Sequence, residues 1–152
     1  MKFLIENKGQ AGAVFQLMVD AIISLAILAI IVYTLTYFNG LRGQISKQQM
    51  YEITGYAVNS PTGKVFVSDK DLFFSNGDGF TAKTMESATS KPAECFTFES
   101  NLAGTDVGAG SYLKFTSAVE AKIYAKCWLA ADPTCIQKCR ISVGKPLPEG
   151  EN

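Results

Sequence analysis

Residues 13–38 read AVFQLMVDAIISLAILAIIVYTLTYF, directly behind Lys8, Gly9 and Gln10. From Ala21 to Phe38 no charge interrupts the run, which meets the criterion of about 18 apolar residues for a membrane-crossing helix. At a rise of about 1.5 Å per residue such a helix crosses a hydrocarbon core roughly 30 Å thick. The competing reading is the core helix of a soluble domain. It would require apolar elements able to cover the helix on every side, and nothing else in the chain is long or apolar enough. A cleaved secretory signal is the next competitor. Its apolar region spans about 7–15 residues and precedes an A-x-A-like cleavage site. Here the run is longer, and the sole A-x-A sequence, Ala11-Gly12-Ala13, stands in front of it. Cleavage there would leave the helix on the mature chain.

Working outward, residues 1–9 form a leader too short to fold, and residues 10–38 the membrane helix. Gly40 and Gly43 follow, each weakening a helix locally by roughly 1 kcal/mol relative to alanine. A helical pattern resumes and extends the helix over residues 39–61. Leu41, Ile45, Ile53, Tyr56 and Ala57 define its apolar face, opposite Lys47, Tyr51 and Thr54. Pro61 and Gly63 end it. Residues 62–144 then read as a β-rich head. Residues 64–67 (KVFV), 71–74 (DLFF), 95–98 (CFTF) and 139–143 supply short strands. Residues 117–129 alternate as one long strand. Val119, Ala121, Ile123, Ala125, Cys127 and Leu129 lie on the inner face, and Glu120, Lys122, Tyr124, Lys126 and Trp128 on the outer. Residues 103–110 read as a glycine-rich loop. Residues 145–152 read as a frayed, flexible tail. The fold expected is α+β: a long N-terminal membrane or stem helix followed by a small antiparallel β-rich head.

The chain of 152 residues has a formal net charge of zero and no histidine. There is no basic surplus to bind nucleic acid. Histidine-based acid–base chemistry, Ser-His and Cys-His nucleophile pairs and histidine metal sites are excluded. All four cysteines, Cys95, Cys127, Cys135 and Cys139, follow the membrane segment. An even number in a small exported domain reads as two disulfides, with three pairings open. The rival is a zinc site, for which Cys135 and Cys139 form one half, but Cys95 and Cys127 are too widely spaced to form the other. Disulfides place the segment from residue 39 onward outside the cytoplasm, and Lys2 and Lys8 suit a cytoplasmic N-terminus.

The turn Asn76-Gly77-Asp78-Gly79 fails the calcium-loop pattern, because Phe74 and Met85 stand where ligands are needed. Asp69, Asp71 and Asp78 read as solvated turn and strand-end residues. The glycines at 104–110 lack a following Gly-Lys-Ser/Thr, so no phosphate loop is expected. No cofactor or metal is expected. Asp20 lies inside the apolar segment, where a carboxylate pairs with a neighbouring charge or sits at the lipid boundary. Gln16, one turn earlier, can share either role.

The order of basic leader, Lys8-Gly9-Gln10 and then a long apolar helix resembles the class III signal peptide of archaeal type IV pilin-like proteins. The resemblance covers roughly residues 1–40. It implies cleavage between Gly9 and Gln10 by a membrane prepilin peptidase, with Gln10 as the new N-terminus and the helix retained. It also implies assembly with other pilin subunits through that helix, with Val14, Gln16, Asp20, Ser24 and Ala26 among the packing residues, into a cell-surface filament that serves adhesion or surface contact. One departure stands out: the family commonly carries glutamate at the fifth mature position, and here that position is Val14. An alternative is an uncleaved single-pass anchor that presents an extracellular binding module, with Tyr124 and Trp128 as contact residues. A membrane-tethered enzyme is the weakest reading, because no catalytic motif converges.

Overall fold

The computed structural model describes residues 7–150, with side chains from residue 12 onward. The chain divides into two units, Met1–Gly40 and Leu41–Asn152. Helix α1 runs Asn7–Asn59 and contributes residues to both.

In the first unit the described apolar side chains, from residue 12 onward, all face outward. Phe15, Ile22, Ile30 and Tyr33 are among the exposed residues, Tyr33 at 71%. The helix is long and apolar enough to cross a membrane. Its serine and threonine hydroxyls are satisfied locally. Ser24 Oγ donates to the Asp20 carbonyl at 2.7 Å, and Thr34 Oγ1 to the Ile30 carbonyl at 2.6 Å. Such bonds let polar side chains enter an apolar medium without an orphan donor.

The second unit is an α+β domain with antiparallel-rich sheets. Its elements after α1 are β1 (Thr62–Val67), β2 (Leu72–Phe74), β3 (Gly79–Thr81), α2 (Ala82–Thr89) and, after a 3₁₀ turn at Ala93–Cys95, β4 (Phe96–Ser100). Then follow β5 (Thr105–Gly108), β6 (Tyr112–Phe115), β7 (Val119–Ala121), β8 (Ile123–Leu129) and β9 (Gln137–Val143). The largest sheet has the order β1-β8-β9-β4; β2 pairs with β7, and a third sheet runs β3-β6-β5. The β4–β9 pair is parallel, whereas the other pairs are antiparallel.

One core joins these sheets to the last turns of α1. Met50, Ile53 and Ala57 of the helix meet Phe74, Phe80, Phe98, Leu113, Phe115, Ile123, Ile141 and Val143. Phe74 and Phe115 stack at 4.4 Å between centroids, and Phe80 stands edge-on to both. Such aromatic pairs add to plain area burial.

Several expectations need correction. The buried helix positions are Gly43, Ser46, Met50, Ile53, Thr54, Ala57 and Val58, a stripe rotated away from the expected face. Ile45 and Tyr56 are exposed at 55% and 54%, whereas Thr54 is fully buried. Thr54 Oγ1 donates to the Met50 carbonyl at 2.8 Å, so its remaining surface packs as a small apolar group. The single strand expected over residues 117–129 is two. β7 joins β2, β8 joins β1 and β9, and Lys122 is the switch between sheets. Leu129, expected inside, is 58% exposed, and Lys126, expected outside, is buried. The loop expected over residues 103–110 contains β5, and β3, α2 and β6 were not foreseen. Asp78 sits in a turn as expected, but its side chain is only 16% exposed and pairs with Lys47. The tail expected to fray is docked as far as Gly150: Leu147 is buried, and Gly150 N donates to the Gly63 carbonyl at 3.3 Å.

Candidate functional site

Two regions carry the residues singled out above. The first is the apolar part of α1. Lys8, Gly9 and Gln10 lie within the span of α1, but their side chains fall outside those described, as does the whole of residues 1–6. Val14, Gln16, Asp20, Ser24 and Ala26 are all exposed. They do not share one face, since steps of two and six residues on a helix turn through about 200° and 600°. What they share is a helix with no polypeptide cover along residues 12–32.

The second region is the β1-β8-β9-β4 sheet and its disulfides. Cys95 pairs with Cys135, and Cys127 with Cys139, leaving no free cysteine. The zinc alternative is therefore replaced by two bridges. Cys127 and Cys139 are direct partners across the β8–β9 ladder, with Cα atoms 4.1 Å apart. Cys95 ties the start of β4 to the β8–β9 turn, so both bridges brace the same end of the sheet. Among the described residues no group of three potential ligands is placed to hold a metal ion.

In that turn Asp132 accepts from Thr134 N and Oγ1 at 3.0 Å and pairs with Lys138 at 2.8 Å. The Lys138 ammonium and then the Thr134 donors hold its carboxyl well below the usual range, at about 2.

Tyr124 and Trp128 come from β8 on the sheet face away from the core, and both are half-buried rather than free. Two cations lie over the Trp128 ring, with Lys126 Nζ 5.4 Å and the Arg140 guanidinium 5.7 Å from its centroid. Arg140 pairs with Glu99 at 3.2 Å, and Lys145 reaches the same carboxylate at 3.4 Å. Lys126 Nζ donates to the Pro148 carbonyl at 2.8 Å and to the Gly150 carbonyl at 3.1 Å. Burial, followed by repulsion from Arg140, lowers its pKa, and Glu99 partly opposes this. The sequence reading missed Lys126 as a structural centre. The available signal was the pair Pro146 and Pro148 beyond the last strand, which marks a segment of fixed, extended backbone.

A separate groove of 370 Å³ lies between α1 and β1, lined among others by Glu52, Tyr56, Phe66 and Asp69. Tyr56 donates to Glu52 at 2.9 Å, and that bond together with the neighbouring negative charge raises the phenol pKa.

Comparison with protein-family models, curated proteins and solved structures finds no match to this chain.

Proposed function

We propose that this chain is a subunit of an archaeal type IV pilus-like surface filament. In this reading a prepilin peptidase cuts between Gly9 and Gln10, and residues 10–38 hold the subunit in the membrane before assembly. The N-terminus is cytoplasmic, and the disulfide-bonded domain lies on the oxidising, extracellular side.

The observation that carries the reading is the dual use of α1. One helix offers an uncovered apolar surface over residues 12–32 and then supplies Met50, Ile53 and Ala57 to a disulfide-braced core. A helix of that kind is stored in lipid with its backbone bonds made internally. On assembly it exchanges lipid for neighbouring helices. Lipid tails are as apolar as leucine, so close packing and not hydrophobicity drives that exchange. Ala21, Ser24, Ala26 and Ala29 allow the approach. Head-to-tail contacts of this type extend a helical filament rather than closing a dimer.

The test is intact mass and N-terminal sequencing of the protein from its native membrane or surface fraction. A chain beginning at Gln10, free or cyclised, supports the pilin-like subunit. A chain that keeps residues 1–9 where the peptidase is active overturns it and leaves the alternative of an anchored extracellular binding module.

A further inference from the structure

As a helix, residues 13–38 rise about 39 Å, more than a hydrocarbon core of roughly 30 Å. Length alone therefore does not fix which of them a bilayer covers. The polar side chains narrow the choice. Ser24, Thr34 and Thr36 each donate to a carbonyl of their own helix, so they enter hydrocarbon without an orphan donor. The other polar residues of the segment are Gln16, Asp20, Tyr33 and Tyr37. Their side chains are exposed and have no hydrogen-bond partner among the described residues. They form two bands. Gln16 and Asp20 stand one helical turn apart, and so do Tyr33 and Tyr37. Residues 21–32 between the bands carry no polar side chain besides Ser24.

The centres of the two bands lie about 25 Å apart along the axis. That is slightly less than the core thickness, so each polar tip is within reach of the nearer surface. The outer band is aromatic: the Tyr33 and Tyr37 rings stack at 6.4 Å between centroids, and Phe38 stands edge-on to Tyr37 at 6.2 Å. Tyrosines gather at headgroup level because the ring is apolar and the hydroxyl wet. Beyond this band the span has a firm limit. The second unit begins at Leu41, and Arg42 pairs with Glu120 at 2.7 Å. The inner band carries the charge. Cα–Cβ bonds of a helix tilt toward its N-terminus, which takes Gln16 and Asp20 toward the cytoplasmic surface in the orientation given above.

We propose that the bilayer seats α1 between these bands, with Tyr33 and Tyr37 in the outer headgroup layer and the Asp20 carboxylate in the inner one, hydrated at the lipid boundary rather than paired with a charge on a neighbouring helix. An ionised carboxylate held in hydrocarbon is costly and calls for a partner. In this seat Asp20 needs none, so a lone subunit is stored in the membrane without a second chain. The inference rests on the membrane-anchored part of the reading above, and not on cleavage at Gly9.

The experiment uses the full, unaltered chain, isotope-labelled and reconstituted in phosphatidylcholine vesicles. Solid-state NMR follows proton polarisation as it spreads into the protein from water or from the terminal methyl groups of the lipid. It is run at one protein-to-lipid ratio and again after dilution with lipid. The expected result is that the Gln16 amide, the Asp20 carboxyl and the Tyr33 and Tyr37 rings are reached several-fold faster from water than from lipid methyls. Ile27 and Leu28 show the reverse order, and dilution changes neither. An Asp20 signal, or both tyrosine signals, reached from lipid methyls alone would overturn the proposal. So would water contact at Asp20 that disappears on dilution, which marks a wet pocket between helices. These two outcomes leave the membrane anchor standing. If Ile27 and Leu28 receive nothing from lipid methyls, the span itself fails, and the membrane part of the proposed function falls with it.

Discussion

Lys47 of α1 and Asp78 of the β2–β3 turn form an ion pair at 2.5 Å. The second oxygen of Asp78 accepts from Ser75 N at 2.8 Å, so one carboxylate both shapes the turn and ties it to the helix. Replacing Asp78 with alanine removes both bonds. Lys47 stays 39% exposed, and solvent screening reduces the Coulombic part. The expected loss is about 1–2 kcal/mol, read as a lower urea midpoint with an unchanged slope.

Phe74 carries a larger share of the core. It is fully buried, stacked on Phe115 and edge-on to Phe80. Phe74→Ala is expected to destabilise by about 3–5 kcal/mol. A small domain has roughly 5–15 kcal/mol in total. Thermal unfolding of the variant should therefore begin far below that of the parent.

The two disulfides close loops of different length, with sequence separations of 40 and 12. The chain-entropy model assigns about 4 kcal/mol to the longer loop and about 3 kcal/mol to the shorter. Paired replacement of Cys95 and Cys135 by alanine should lower the Tm more than replacement of Cys127 and Cys139. The opposite order would mean that packing across the β8–β9 ladder outweighs loop entropy.

Asp132 gives the β8–β9 turn an acid limit. Its pKa falls from an ordinary 3.8 to about 2 in the folded chain. A depressed carboxyl pKa stabilises the fold above the unfolded value, and the contribution is lost as pH falls through the folded value. A carboxyl NMR titration should place the folded midpoint near about 2. The Tm difference between the parent and Asp132→Asn should be constant above pH 3.8 and shrink between there and about 2.

The α+β outline was legible because its signals are local. An uncharged run marks the first helix, and β-branched and aromatic clusters mark strands such as residues 64–67. Part of what escaped depends on contacts distant in the chain, and part on local bonds that residue type alone does not announce. Alternation puts Lys126 on the outer face correctly, but only residues 145–150 bury it. Thr54 reads as polar until its bond to the Met50 carbonyl is seen. Helix α2 begins at a capping box in which Thr84 takes the place usually held by Glu or Gln, so its start signal was missed. The cysteine count implied two bridges, but spacing did not choose between pairings that the β8–β9 register decides. The processing residues were named from a short motif alone, and the described side chains begin beyond them.

The sheet order β1-β8-β9-β4 puts the two strands made last in its middle. During synthesis β1 and β4 emerge with no ladder partner and wait for residues 123–143. Until then Phe66, Phe96 and Phe98 have no sheet to pack into. Closure of these distant pairings is slow compared with growth of the helix. A ribosome-bound chain would therefore carry a finished α1 beside unpaired strand edges, a state in which a chaperone or a second nascent chain competes for the same backbone groups.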